Sequence, residues 1–364
     1  SDWSSDVCSS DLNINKNLEI GFIFVEIITL VLSCYALLRI MGSGWGNLLT
    51  SIHIYRENTM HKGIEMESFP SYVKLLRVLV SASGYWFTYV IMQNYSLNKK
   101  VKIRETIIVF LSMLSSIVTG GRGVAIYYIL SGLVLFFYTN KNYRQKRKEK
   151  IQVWKLVAIG VIFFALFVIS GNLLGRNIKG SYARYFVLYC GAEIKNLDTF
   201  LQGVFPTSTH FAQETFITFY RSYGSILGLP LDEYVLYHPF RYAGTVYLGN
   251  VSTIFQAFIS DFGYVGVVSM TALMAFISQF FYECANREKP GKRPNMIILL
   301  YCFVAAMLFF SFFSNKFYEE LLSKGLIQNI ICWIAMNYVF LRFRVRSNSR
   351  VRANSIKREA YTNE

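Results

Sequence analysis

The sequence is poor in the residues that carry metal and redox chemistry. It has six cysteines and four histidines, with no CxxC and no HExxH, so neither a structural nor a catalytic zinc site has a ligand set. Cys34, Cys302 and Cys332 fall inside apolar runs, Cys284 sits at the edge of one, and Cys8 lies in a polar head. That leaves Cys190, and one thiol forms no intramolecular disulfide. The glycines build no nucleotide loop: GGRG lacks the following Lys and Ser/Thr, and no βαβ pattern surrounds it. No internal repeat relates two halves, as it does in many secondary transporters. Charge is also scarce, at 16% of residues against 53% apolar, which is the balance of a membrane protein.

The first twelve residues, SDWSSDVCSSDL, match nothing that follows. They lack the basic start, apolar centre and small-residue cleavage site of a secretory signal. Residues 2–12 read as the translation of a sequencing-library adapter, so residues 1–12 are expected to be foreign to the fold and the native frame to be cut upstream of Asn13.

Eight apolar runs are long enough to cross a hydrocarbon core of about 30 Å. They lie at about 19–40, 73–95, 103–119, 123–139, 153–172, 262–282, 296–313 and 324–341. The expected fold is an all-α polytopic membrane protein over residues 13–341, with one large outer loop at about 172–252 carrying short helices. A basic tail, 342–364, follows. Orientation comes from four basic clusters: NKNYRQKRKEK with six Lys or Arg, NKKVKIR and NREKPGKRPN with four each, and the tail with seven. Alternating spans put all four on one side, which the retention of Lys and Arg makes cytoplasmic. The GGRG turn, residues 41–72 and the 172–252 segment then face outward, and the C-terminus faces inward. The excess of 37 basic over 22 acidic residues is thereby a topology signal with a share in lipid contact, and nucleic-acid binding is not expected.

Ionisable residues that do not mark a cytoplasmic end are the informative ones. Arg122 stands in SSIVTGGRGVAIYY, a tight turn on the side where positive charge is scarce, placed to grip a phosphate or to snorkel to lipid. The outer segment scatters Arg176, Lys179, Arg184, Lys195, Arg221 and Arg241 among aromatics, nearly balanced by Glu193, Asp198, Glu214, Asp232 and Glu233. Guanidinium forks match phosphate oxygens and aromatic faces suit sugar rings, a combination fitting a phosphate-linked glycan. Tyr182, Tyr185 and Tyr189 share a helical face. Within the spans Glu26 is the buried-looking acid, and such a carboxylate usually has a partner.

Three stretches resemble the bacterial O-antigen or oligosaccharide repeat-unit polymerases of the Wzy type. They are SSIVTGGRG, YARYFVLYCGAEIKNLDTFLQG and GNVSTIFQAFISDFGYVGVVSM, within a resemblance that spans roughly residues 70–341. The resemblance implies a metal- and cofactor-independent glycosyltransferase in the bacterial cytoplasmic membrane. It would move a growing chain from undecaprenyl diphosphate to a hydroxyl of a new lipid-linked repeat unit, building O-antigen, capsule or exopolysaccharide. Membrane lipids, a chain-length regulator and a flippase are its implied partners. Arg122 and Arg184 are then first choices for diphosphate, Arg221 and Arg241 next, with Tyr185 at the sugar. Among the outer candidates for a base (His210, His238, Glu214, Asp232 and Asp261), His238 and Asp261 are preferred. A lipid-linked glycan flippase, an O-antigen ligase and a polyprenyl-phosphate-sugar glycosyltransferase are the competing classes.

Overall fold

The structure, a computed structural model, describes residues 12, 14–58, 67–119, 121, 123–147, 181–203, 208–230, 240–288 and 293–340. The chain divides into two compact units. Residues 1–149, 288–299 and 328–364 form one, and residues 150–287 and 300–327 the other.

The first unit contains α1 (Lys16–Met41), α2 (Leu48–Arg56), α3 (Ser71–Asn98), α4 (Ile103–Ile117) and α5 (Gly123–Arg147). Helix α3 is central, packed against α1, α4 and α5. Its middle carries Tyr85, Trp86, Phe87, Tyr89 and Val90, all buried. In lipid there is no water to drive apolar helices together, so close packing and interhelical hydrogen bonds decide which faces meet. Gly84 supplies the first: a side chain there would run into the ring of Tyr128, whose hydroxyl donates to Ser81 O at 3.0 Å. The second joins α3 to the helical stretch 324–340. Trp86 Nε1 donates to Asn337 Oδ1 at 2.8 Å, and Trp333 Nε1 donates to Ala82 O at 2.9 Å. Leu12, at the end of the polar head, is buried here, and its backbone exchanges two hydrogen bonds with Asn94 at 3.0 and 3.1 Å. The rest of that head, residues 1–11, lies outside the described residues.

Among the described residues of the second unit the first element is α6 (Tyr182–Leu201), capped where Ser181 Oγ accepts from the Arg184 N–H at 3.2 Å. There follow α7 (Ile217–Tyr223), a two-stranded antiparallel hairpin of β1 (Arg241–Ala243) and β2 (Val246–Gly249), and α8 (Ile254–Arg287). Helices α9 (Met296–Phe309) and α10 (Lys316–Leu321) come next. The hairpin is a local departure from the all-α expectation; it turns through Gly244 and Thr245 within RYAGTVYLG. Helix α8 is interrupted at Gly263, whose φ of 65° and ψ of −159° are open essentially to glycine alone. A short segment, 254–262, is thereby set off from the long apolar run after it.

The chain is an all-α membrane protein apart from that hairpin. Among the described residues three helices, α1, α3 and α8, are long and apolar enough to cross a bilayer, and shorter apolar helices cover Gly123–Thr139 and Met296–Phe312. The expected runs at 103–119 and 324–341 fall on α4 and on the 324–340 helix, and the run at 153–172 lies outside the described residues.

The kink gives a direct prediction. Gly263→Ala should lower thermal stability in detergent by about 1–3 kcal/mol, the usual cost of forcing a side chain into that backbone region. Gly21→Ala, inside α1 with nothing within 4 Å of an added Cβ, should leave it unchanged or slightly raise it. Equal melting temperatures for both variants would contradict the kink.

Candidate functional site

The densest polar assembly of the second unit forms around Asp261, at the end of the 254–262 segment. One carboxylate oxygen, Oδ1, accepts the Ser208 hydroxyl and the Glu214 N–H, the latter at 3.0 Å; Oδ2 accepts the Thr215 N–H at 2.6 Å. The turn 208–216 is held from its other side by Asn315, whose Nδ2 donates to Glu214 O at 3.2 Å and Thr215 O at 2.8 Å. Between these clamps Ala212 takes a positive φ of 52°, a strained conformation for a residue with a Cβ, which persists only where its surroundings over-determine it. Ring contacts of Phe211 with Phe262 at 5.6 Å and of Phe216 with Tyr318 at 5.7 Å complete the anchoring.

The turn presents Glu214 near Arg241. Arg241 leaves β1 and donates through Nη1 to Asn196 O at 2.5 Å and to Gln256 Oε1 at 3.2 Å, with its guanidinium 5.8 Å from the centre of the Phe200 ring. It therefore ties the hairpin to α6 and to the first turn of α8. Burial lowers its proton affinity and the Glu214 carboxylate opposes this. Burial, then the Asp261 charge, push Glu214 up to about 7, against the pull of Ser260 and Arg241. An acid near 7 beside a fixed guanidinium is suited to exchange a proton at neutral pH.

A second acid adjoins this assembly. Glu193, on α6 one turn before Asn196, is buried, and burial pushes it up to about 7. Its helix is fixed to the strand exit by Asn196 Nδ2 donating to Val251 O at 2.7 Å.

The candidates taken from sequence divide clearly. Arg241 is built into the assembly. Asp261 is too, but as the acceptor for two backbone amides and a hydroxyl, which makes it a positioning residue for the turn. Arg184 and Arg221 are exposed, on the first turn of α6 and the last turn of α7. Tyr185 lies on α6, with its side chain outside the described residues, and Arg122 and His238 lie outside them altogether. His210 is half-buried on the 208–216 turn. Sequence reasoning passed over Asn196, Gln256 and Asn315, amides whose value lies in whom they bond, and it placed Glu193 only as a charge balancing the arginines. No group of three or more His, Cys, Asp or Glu able to hold a metal occurs among the described residues.

In the first unit Arg77 was also missed. Its Nη1 donates to Ser115 O at 3.1 Å and its Nη2 to Thr119 Oγ1 at 3.3 Å, so it fastens the end of α4 that leads into the SSIVTGGRG turn.

The family model of O-antigen polysaccharide polymerase Wzy matches residues 2–177. Over those residues the chain is similar to the Wzy-type polymerases. The match takes in the SSIVTGGRG turn and the Arg77 anchor behind it, begins within the polar head, and ends before α6. It places the chain in polysaccharide biosynthesis at the level of the family. No curated protein and no solved structure matches the chain.

The two raised acids fix a pH dependence. Each holds its proton more tightly folded than unfolded, so its contribution to stability is full below about pH 4.5 and is lost as pH rises through about 7. The melting temperature should fall between those limits. Glu214→Gln and Glu193→Gln should each flatten the fall, and the double variant most; an unchanged slope in the double variant would refute the assignment.

Proposed function

We propose that the protein polymerises undecaprenyl-diphosphate-linked oligosaccharide repeat units into O-antigen, capsule or exopolysaccharide on the outer face of the bacterial cytoplasmic membrane. The family match carries this proposal, and the Arg241–Glu214 assembly supports it by offering a fixed positive group beside an acid that titrates near neutrality.

The reaction joins a hydroxyl oxygen of the incoming repeat unit to the anomeric carbon of the growing chain, while the bond from that carbon to the lipid diphosphate breaks. The diphosphate leaves carrying the electron pair, and the hydroxyl proton passes to a base. Two physical demands follow: compensation of charge on the leaving diphosphate and a proton acceptor beside the attacking oxygen. Arg122, Arg184, Arg221 and Arg241 meet the first as bidentate donors to phosphate oxygens, with Tyr185 as a sugar-facing ring. For the second, Glu214 joins His238 as a candidate base. Asp261 acts through Glu214 by fixing the turn that carries it. Membrane lipids surround the chain, and a flippase and a chain-length regulator are its functional partners.

The test is to incubate the full-length protein with one purified lipid-linked repeat unit and separate the products by size. A regular ladder is expected; translocated but unextended lipid would place the chain among flippases, and a single transfer to a different acceptor among ligases. Arg122→Ala and Arg184→Ala should each slow the ladder by on the order of 10² or more, as loss of a charge-stabilising donor does, while Arg176→Ala keeps most of it.

A further inference from the structure

Polymerisation at the membrane surface gives no role to one fully buried acid in the middle of the first unit. Glu26 lies in α1, 10 residues from its start, or about 15 Å along the helix axis. It is fully buried. Its Oε1 receives the Ser83 hydroxyl from α3 at 2.6 Å and the Ser112 hydroxyl from α4 at 2.9 Å. Its Oε2 has no hydrogen-bond partner among the described residues.

A count of hydrogens makes this cluster unusual. Ser83 Oγ also lies 2.8 Å from Val80 O and 3.1 Å from Ser112 Oγ. Four oxygens, Glu26 Oε1, Ser83 Oγ, Ser112 Oγ and Val80 O, thus make four close contacts. The two hydroxyls supply only two hydrogens to fill them, since a carboxylate and a carbonyl donate none. The cluster is short of positive charge at its centre, and among the described residues the surroundings supply none. Arg77, on the same helix as Ser83, is committed to Ser115 and Thr119. On α5, Tyr128 donates to Ser81 O, and Cys34 on α1 is a buried free thiol. At the starts of α1 and α4, Glu19 pairs with Arg104 at 2.5 Å and Glu105 with Lys102 at 3.4 Å, so those charges answer one another. An uncompensated carboxylate in this setting would cost several kcal/mol.

We propose that Glu26, Ser83 and Ser112 form an intramembrane site for one exchangeable monovalent cation, a proton or a sodium ion. A proton on the carboxyl supplies a third hydrogen: Glu26 donates to Ser83, Ser83 to Val80 and Ser112 to Glu26, and only the longest contact, Ser83 to Ser112 at 3.1 Å, is left without one. A sodium ion is met by the same all-oxygen set, with one carboxylate matching its single charge. In either case the cation joins α1, α3 and α4 at one point, so its occupancy governs how these three helices pack.

Dicyclohexylcarbodiimide tests this, since it is lipid-soluble and modifies a carboxyl only in its protonated form. The full chain in detergent is treated with the reagent and the modified residue located by mass spectrometry, with Glu26→Gln as the unlabelled control. Glu26 should be labelled, and its labelling should slow in one of two ways. A proton site slows by about tenfold per pH unit once the proton is leaving, whatever the salt. A sodium site slows with added sodium but not potassium at fixed pH, and Ser83→Ala weakens that protection. Absence of labelling at Glu26, or a rate indifferent to both pH and sodium, would overturn the proposal. None of these readouts depends on polymerase activity.

Discussion

The acceptance of two backbone amides and a hydroxyl by the Asp261 carboxylate is the interaction on which the polar half of this molecule depends. A charged acceptor holding backbone N–H groups is worth roughly twice a neutral one. Here it is spent on a turn that includes a strained alanine. Without it the amides of Glu214 and Thr215 would lose their acceptor, and Ala212 the constraint that keeps its φ positive. Glu214 would then lose its fixed place beside Arg241. Arg241 separately ties β1 to α6 and α8, so the carboxylate fixes the acid and the guanidinium's own bonds fix its neighbour. Gly263 completes the device by ending the 254–262 segment just past Asp261.

The same requirement, that buried polar groups find partners inside the protein, organises the first unit. Helices that share an apolar surface with lipid gain little by burying it against one another, so their pairing is written in the few polar groups they carry. Trp86 with Asn337, Trp333 with Ala82 and Tyr128 with Ser81 are of this kind, as is Arg77 at the end of α4. The Glu19, Lys102, Arg104 and Glu105 cluster fastens the starts of α1 and α4 with opposite charges.

Much of the fold was legible in the sequence because long apolar runs have one economical solution in lipid. Helices α1, α3, α4 and α8 lie where hydropathy put them. The hairpin was not legible: RYAGTVYLG mixes Arg, Tyr and Gly in an order that equally suits an aromatic loop, and it is fixed by pairing with itself and by Arg241 reaching α6. The site was half legible. Arg241 and Asp261 were among the ionisable residues that mark no cytoplasmic end, but the same rule applied to α3 would have found Arg77, one turn beyond Lys74 near the start of an apolar run. Asp261 was a candidate base, and its hold on the backbone was not legible, because that depends on amides 46 and 47 residues away in sequence. Glu26 was recognised as needing a partner, and its partners, two serines on other helices, carry no signal of their own.

The central claim, that Asp261 is the keystone of the 208–216 turn, is tested most directly by hydrogen exchange. Asp261→Asn keeps the side chain's shape but removes its charge and one of its acceptor oxygens. Amides of residues 208–216 should lose protection in the variant, while the amides of α3 in the other unit exchange as before. Unchanged protection at Glu214 and Thr215 would contradict the account, and would mean that the turn is held by Asn315 and its ring contacts alone.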